Sequence, residues 1–490
     1  MAIFYKPKDG YLADIIPFYW KGKYHIFYVK APLHVKRNIA AFPHGIHSVG
    51  EKFWLEFFSP GREALATPYG HLVSNDLIRW EEWPLAVQPG KTGDPDAIGC
   101  WTGSFIESNE VFHLFYTGFA GDDKPQTTCH ATSVDLREWR KDPLNPILKA
   151  DPRWYEPNDW RDPIVFWNEE EQTYWMILTA RVKDGPSNRR GCLALAVSPD
   201  LKHWEIRPPL WSPHLHYAHE CPDIFRWGDR WVLLYSEYSD CWSTHYRVSD
   251  SLRGPWLADE EDTLDGSHFY AAKTASDGKR RFLFGWSPSN YGKADKGLWE
   301  FGGNMVIHEL GMLNKGSLAV RSVPEIDQLF HQAMPLFSKP HSGNWKVDGR
   351  TIEVQNKNGA AVCTVGDLPE SCRVTAKISL GEKTRSCGLL INADAELDSG
   401  YQLRWEPGKN RIVFDRWPRP GNEPFMLERF VKNGTDSSLE LNIHIDGTII
   451  VAYLNQTVAL THRIYDHLDG KLGLFVTDGG AIFSDIQCYV

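Results

Sequence analysis

The amino-acid sequence predicts an all-β protein, a five-bladed β-propeller followed by a C-terminal β-sandwich. Three observations predict it. A Ser-x-Asp-Leu-x-x-Trp segment recurs as SNDLIRW (Ser74 to Trp80), SVDLREW (Ser133 to Trp139) and SPDLKHW (Ser198 to Trp204), with a degenerate SDSLRGPW from Ser249; the starts lie 59, 65 and 51 residues apart. A strand, a polar turn and an aromatic-rich strand recur five times, and helical periodicity is scarce throughout. Beyond residue 344, short alternating runs resume without the Ser-x-Asp-Leu repeat.

The five hairpins are IIPFYWKGKYHIFYV, SFIESNEVFHLFYTG, PIVFWNEEEQTYWMILTA, DIFRWGDRWVLLYSE and, after Phe269-Tyr270, ASDGKRRFLFGWS. A period of about 50 to 65 residues suits one four-stranded blade, so five blades fill residues 1–323. The stretch 324–343, with prolines near both ends and one possible short helix, reads as a linker. TIEVQ, CRVTAKISL, CGLLINA, YQLRWE, RIVFDR, LELNIHI, TIIVAYL and KLGLFVT then give about eight strands over 344–490, enough for two packed sheets. At 490 residues, the chain exceeds the size at which one core stops growing, which agrees with two domains.

Composition narrows the function. The 53 Lys+Arg against 63 Asp+Glu give a net charge of -10, leaving no broad positive field for nucleic acid. The N-terminus lacks a cationic segment followed by an apolar stretch and cleavage site, and nowhere do about 18 apolar residues run together. A cytoplasmic protein without membrane spans is therefore expected. Nine cysteines with no CxxC pair suggest reduced thiols, neither a disulfide framework nor a structural zinc site. The 21 Trp are core-packing residues unless they stand beside a polar cluster, where flat rings face sugars well.

Aligning the hairpins on Phe18, Phe105, Phe166, Phe225 and Phe269 places Asp14 and Asp162 four residues before their Phe, and Glu220 five before. A lone Asp beside a strand is usually a turn residue. Three acids at nearly one register, on strands that surround a channel, point instead to a shared site. Clustered carboxylates raise one another's pKa, which suits chemistry that divides acid from base. Glycoside cleavage is such chemistry. No cofactor and no metal are expected, since no spaced His ligands or calcium loop accompany the acids.

The residues also resemble glycoside hydrolase family 32, the β-fructofuranosidases. Trp160-Arg161-Asp162-Pro163 resembles its Arg-Asp-Pro motif, His219-Glu220-Cys221-Pro222-Asp223 its Glu-Cys-Pro-Asp motif, and GCWTGSFI (Gly99 to Ile106) a third. HFYAAK, FGWSPS and LELNIHIDGTIIVAYLNQ extend the similarity nearly end to end. The resemblance implies Glu220 as acid/base, Asp162 as transition-state stabiliser and Asp14 as nucleophile of a retaining reaction. It further implies that Arg161, Trp101, Ser104, His219, Tyr270 and Trp299 line the sugar site, and that Cys221 either tunes Glu220 or is an inert thiol. The first motif departs from the family's Asn-Asp-Pro-Asn, reading Tyr11-Leu12-Ala13-Asp14-Ile15-Ile16-Pro17. A long segment, Ala31 to Pro68, follows; within it Trp54, His44, His47 and Arg62 could reach substrate. Trp405 and Trp417, near Arg404 and Arg416, could bind a glycan but suit packing better, and the sequons at Asn433 and Asn455 carry little weight.

The expected substrate is a small carbohydrate, a β-linked fructoside, with neither nucleic acid nor membrane as partner; a homo-oligomer stays open. Alternatives within the clan are a transfructosylase, a hydrolase of an unusual fructoside such as difructose anhydride, or an arabinoside hydrolase. A non-catalytic carbohydrate-binding propeller is a further alternative, against which three retained carboxylates argue.

Overall fold

The computed structural model describes residues 2–31, 67–121, 124–297, 299–313, 316–419, 421–431 and 437–490. His44, His47, Trp54, Arg62 and the sequon at Asn433 lie outside the described residues. Five antiparallel blades make the propeller. Blade I holds β1 (Tyr11–Trp20), β2 (Lys23–Ala31), β3 (Tyr69–Ser74) and β4 (Glu81–Trp83); blade II holds β5 (Gly99–Ser108), β6 (Val111–Phe119), β7 (Thr127–Ser133) and β8 (Arg140–Lys141). Blade III comprises β9 (Tyr155–Asn168), β10 (Thr173–Val182), β11 (Gly191–Ser198) and β12 (Glu205–Trp211). Blade IV has β13 (Glu220–Trp227), β14 (Arg230–Glu237) and β15 (Ser243–Ser249), with isolated bridges from Leu257 and Thr263 in place of a fourth strand. Blade V is β16 (Tyr270–Ser276), β17 (Arg281–Asn290), β18 (Trp299–Met312) and β19 (Leu318–Arg321). β18 also pairs with β1 at Leu12 and Gly303, fusing the last blade to the first and closing the ring.

The repeated Ser-x-Asp-Leu segment ends the third strand of blades I to III. Ser74 Oγ accepts from Leu77 N at 2.9 Å, and Asp76 Oδ1 from Ile78 N and Arg79 N at 2.9 and 2.8 Å. Ser133 with Asp135 makes the same turn, and Asp200 repeats the Asp half of it. These side chains replace the backbone partners a strand would offer, which lets Leu77, Leu136 and Leu201 adopt φ near +64° and bury their side chains.

After β19 comes one helical turn, α1 (Pro324–Asp327), and then twelve strands: β20 (Lys339–Ser342), β21 (Asn344–Asp348), β22 (Thr351–Leu368), β23 (Ser371–Leu380), β24 (Ser386–Ala393), β25 (Gly400–Glu406), β26 (Arg411–Trp417), β27 (Leu427–Phe430), β28 (Ser438–Asp446), β29 (Ile449–Leu454), β30 (Val458–Arg463) and β31 (Gly470–Tyr489). β20 lies within the stretch read as a linker and pairs with β22. The long strands β22 and β31 serve both layers. β31 meets β24 through residues 471–477 and β23 through 481–489, and the apolar faces enclosed between the layers form one core. Trp405 is buried in that core, whereas Trp417 is 47% exposed.

Candidate active site

The innermost strands β1, β5, β9, β13 and β16 each pack against the inner strands on either side. Every one of them carries an extra residue relative to its hairpin partner at the same height. The register shifts fall at Asp14 in β1, Thr102 in β5, Asp162 in β9, Cys221 in β13 and Ala271 in β16. A bulge re-aims the side chains next to it. Asp14, Asp162, Cys221 and Ala271 sit at φ of +35°, +56°, +49° and +51°, a conformation worth about 1–3 kcal/mol of strain each for such residues. Immediately past the bulge of β5, Gly103 passes so close to β6 that a Cβ would lie 2.0 Å from Phe115 O.

This alignment replaces the one built on phenylalanines. Phe269 precedes β16 and is buried against His308; the fifth blade offers Ala275, paired with Phe282, where the other hairpins offer an aromatic or aliphatic residue. Glu220 stands one place before its bulge, level with Ala13, Trp101, Arg161 and Tyr270.

Two rows of side chains result. Tyr270 Oη donates to Glu220 Oε2 at 2.6 Å, while Arg161 Nε and Nη2 donate to Oε1 at 3.2 and 3.1 Å. Asp159 takes a further bond from Arg161 Nη1 at 2.6 Å. In the bulge row, Thr102 Oγ1 donates to Asp14 Oδ2 at 2.8 Å and Trp286 Nε1 to Oδ1 at 3.3 Å. Asp162 Oδ2 accepts from Cys221 N at 2.9 Å and Thr179 Oγ1 at 3.1 Å, with Arg161 Nε 3.9 Å away. Asp14 and Glu220 keep a partly exposed edge, whereas Asp162 is 3% exposed.

Burial pushes the Asp14 carboxyl up to about 6, with the charge of Asp162 adding to the shift and the Thr102 and Trp286 bonds opposing it. Glu220 is pushed up to about 7 by burial; Arg161 opposes this and Asp162 adds to it. The Cys221 thiol is driven well above its usual range by burial and the three carboxylates, and its Sγ lies 4.0 Å from Thr102 Oγ1. Cys221 thus serves the site through its backbone N–H, as a buried, protonated thiol.

The remaining candidates divide. Trp101 is half-buried and stacks on Phe119 at 4.1 Å. Trp299 packs edge-on to Trp242 at 5.1 Å, and Trp242 lies 5.4 Å from Tyr270, so both belong to the wall beside Glu220. His219 does not face the sugar site: it is fully buried against Trp211, His216 and Tyr235, and only its carbonyl reaches inward, accepting from Thr179 Oγ1 at 2.8 Å. Ser104 also falls away from the carboxylates. Its Oγ accepts from Val165 N at 2.9 Å, tying blade II to III, and it lines a cavity of about 290 Å³ at the opposite end of the inner strands. Thr102, Thr179, Trp286 and Lys273 were not singled out from sequence. Thr102 stands in register with Asp14 and Asp162, which is the signal that marks it. Thr179 and Trp286 come from second strands, and Lys273 from β16, where its Nζ donates to Gly103 O at 2.9 Å.

A five-bladed propeller that gathers three buried carboxylates in its channel, Asp14 and Asp162 at one height and Glu220 one residue away, has the arrangement of a glycoside hydrolase. The model of "Glycosyl hydrolases family 32 N-terminal domain" matches residues 52–309 and that of "Glycosyl hydrolases family 32 C terminal" residues 341–490. The chain belongs to glycosyl hydrolases family 32. Sucrose-6-phosphate hydrolase of Zymomonas mobilis is 29% identical over 96% of this chain and 87% of its own, and that of Escherichia coli 26% identical over 84% of each. Exo-inulinase from Aspergillus awamori superposes with a TM-score of 0.73 at 18% identity, covering 100% of this chain and 98% of its own. Fructan 1-exohydrolase IIa of Cichorium intybus in complex with 1-kestose does so at 0.69 and 20%, covering 99% and 97%. The fold is therefore that of the family, propeller and sandwich together. Asp14 precedes the residues matched by the first model, and the bulge of β1 brings it to the other two acids.

Proposed function

We propose that the protein hydrolyses β-fructofuranosides with retention of configuration, Asp14 attacking the anomeric carbon, Glu220 protonating the leaving oxygen and then activating water, and Asp162 bonding the sugar hydroxyls. The observation that carries this reading is the meeting of Asp14, Asp162 and Glu220 in one channel, with Asp14 held by Thr102 and Trp286 and Glu220 by Tyr270 and Arg161, and with burial raising the carboxyls of both Asp14 and Glu220. Asp14 lacks the amides that flank the nucleophile in the family's first motif; Thr102 and Trp286 hold its two oxygens instead. The sugars in the relatives' names, sucrose 6-phosphate and 1-kestose, set the substrate class.

The test is product analysis by NMR on sucrose, 1-kestose, a difructose anhydride and an arabinofuranoside. Free fructose released first as the β anomer supports the reading. Release as the α anomer overturns retention, and a new fructosyl glycoside in place of fructose makes the enzyme a transferase. Binding without turnover, unaltered in Glu220→Gln, makes it a lectin.

A further inference from the structure

The turn from β14 to β15 folds three kinds of donor toward one point. Glu237, Cys241 and His245 stand four residues apart, and a carboxylate oxygen, Sγ and a ring nitrogen from them lie within 4.8 Å of one another. Glu237 is buried at the end of β14, and its carboxylate winds the turn back on itself: Oε2 accepts from Ser239 N at 2.7 Å, Ser239 Oγ at 3.1 Å and Asp240 N at 2.9 Å and lies 3.5 Å from His216 Nδ1, while among the described residues Oε1 takes one backbone donor, Cys241 N at 2.8 Å. Oε1 therefore keeps a lone pair. On β15, His245 Nδ1 meets Asp262 Oδ1 at 2.9 Å and Nε2 meets Ser243 Oγ at 2.8 Å; Ser243 Oγ is 2.9 Å from Cys241 Sγ. Cys241 is the exposed one among the nine thiols, so the cluster opens to solvent.

We propose that Glu237, Cys241 and His245 form a zinc site that clamps this turn beside the sugar pocket. Thiolate, imidazole and carboxylate together are the donor set of a borderline-soft divalent ion, and a carboxylate behind the histidine, as Asp262 stands behind His245, fixes Nδ1–H and leaves Nε2 free to ligate. Around a tetrahedral Zn²⁺ with bonds of ~2.0–2.3 Å, donors sit roughly 3.3–3.7 Å apart, so closure needs about 1 Å of movement, which rotation of the exposed Cys241 supplies. On binding, the thiol proton leaves to solvent, the sulfur becomes the anionic ligand, and the Ser243 hydroxyl turns from Nε2 to donate to it. Glu237 and Cys241 then balance the charge of the ion, and water takes the fourth position. The ion takes no part in the chemistry of Asp14 and Glu220. Its position bears on them through the turn it clamps, where Trp242 packs on Tyr270 and Trp299.

The test uses the full chain freed of metal by chelation. Calorimetric titration with ZnCl₂ is expected to show one equivalent bound, and titration with CoCl₂ a thiolate-to-metal band in the near ultraviolet. Cys241→Ala and His245→Ala are each expected to weaken Zn²⁺ binding by about 100-fold or more, with the circular dichroism of the chain unchanged. Absence of stoichiometric binding in the unaltered protein, or a cobalt band that survives in Cys241→Ala, overturns the site.

Discussion

Asp14 and Glu220 are both raised by burial and by the charge of Asp162; the Thr102 and Trp286 bonds oppose the rise at Asp14, and Arg161, with the Tyr270 hydroxyl, opposes it at Glu220. Rate requires Asp14 ionised and Glu220 protonated. Activity should therefore fall below about pH 6 and above about pH 7, giving a narrow bell in kcat/KM, checked by initial rates across pH 4 to 9. Asp14→Asn is expected to lower kcat by about 10³-fold or more, and Glu220→Gln by about 10²–10⁴-fold, with circular dichroism unchanged. Near-normal turnover in the Asp14 variant would remove it as nucleophile. Tyr270 steadies the ionised form of Glu220 through its hydroxyl. Tyr270→Phe should accordingly move the basic limb to higher pH while leaving the acidic limb in place. Both carboxyls titrate higher in the folded chain than in the unfolded one, where such groups ionise near about 4. At these two groups the native state then holds more protons between about 4 and 7, and the stability they contribute declines as pH rises through that window. Asp14→Asn removes one such group, so its melting temperature relative to the unaltered chain should improve from pH 5 to pH 7.

At the scale of the strand, the site is a pattern of bulges, and this is the part that sequence patterning could not supply. Hairpins and turns were legible because each carries its own chemistry: alternating aromatics, a polar turn, a Ser-x-Asp-Leu cap whose bonds are local. A bulge has no such mark. The extra residue is Asp, Thr, Asp, Cys and Ala in the five blades, and only comparison with the partner strand reveals it. The acids stand out in the sequence because two of them share a register and the third is one residue off. Motif proximity points Ser104 and His219 at the sugar, but alternation along a strand and a buried aromatic cluster send their side chains elsewhere. Lys273 shows what strand geometry adds. It is 3% exposed, bridges β16 to β5 through Gly103 O, and its charge favours the ionised form of Asp14. Lys273→Met should raise the pKa of Asp14, so the acidic limb of the pH profile moves upward by a fraction of a unit or more, with the basic limb nearly fixed. An unmoved acidic limb would show that the lysine serves packing alone.

Propeller and sandwich share one core. Phe225, Leu234, Tyr246, Leu283 and Val306 from blades IV and V are contiguous with Ile449, Val451, Tyr453 and Ala459 of the sandwich. Through this apolar contact runs a buried polar chain. His308 on β18 donates or accepts between Asp265 Oδ2 at 2.9 Å and Tyr453 Oη at 2.8 Å, and Asp265 takes Thr461 N at 2.7 Å and Thr461 Oγ1 at 2.5 Å. Arg463 adds bonds from β30 to Ser287 O, Pro288 O and Asn304 Oδ1 of blade V. Blade V also closes the ring by pairing with β1, the strand that bears Asp14. The sandwich therefore supports the blade on which closure of the active-site ring depends. Removing Asp265 would strand His308 and two donors of Thr461 in a dry interface, a loss of about 3–5 kcal/mol for a buried, hydrogen-bonded charge. Asp265→Ala should lower the melting temperature of the whole chain in a single calorimetric transition, because the cluster it adjoins is built jointly by blades IV and V and by β29 and β30. If the variant instead melts in two steps, with activity lost in the first, the two domains fold independently and the shared core is only an adhesive contact.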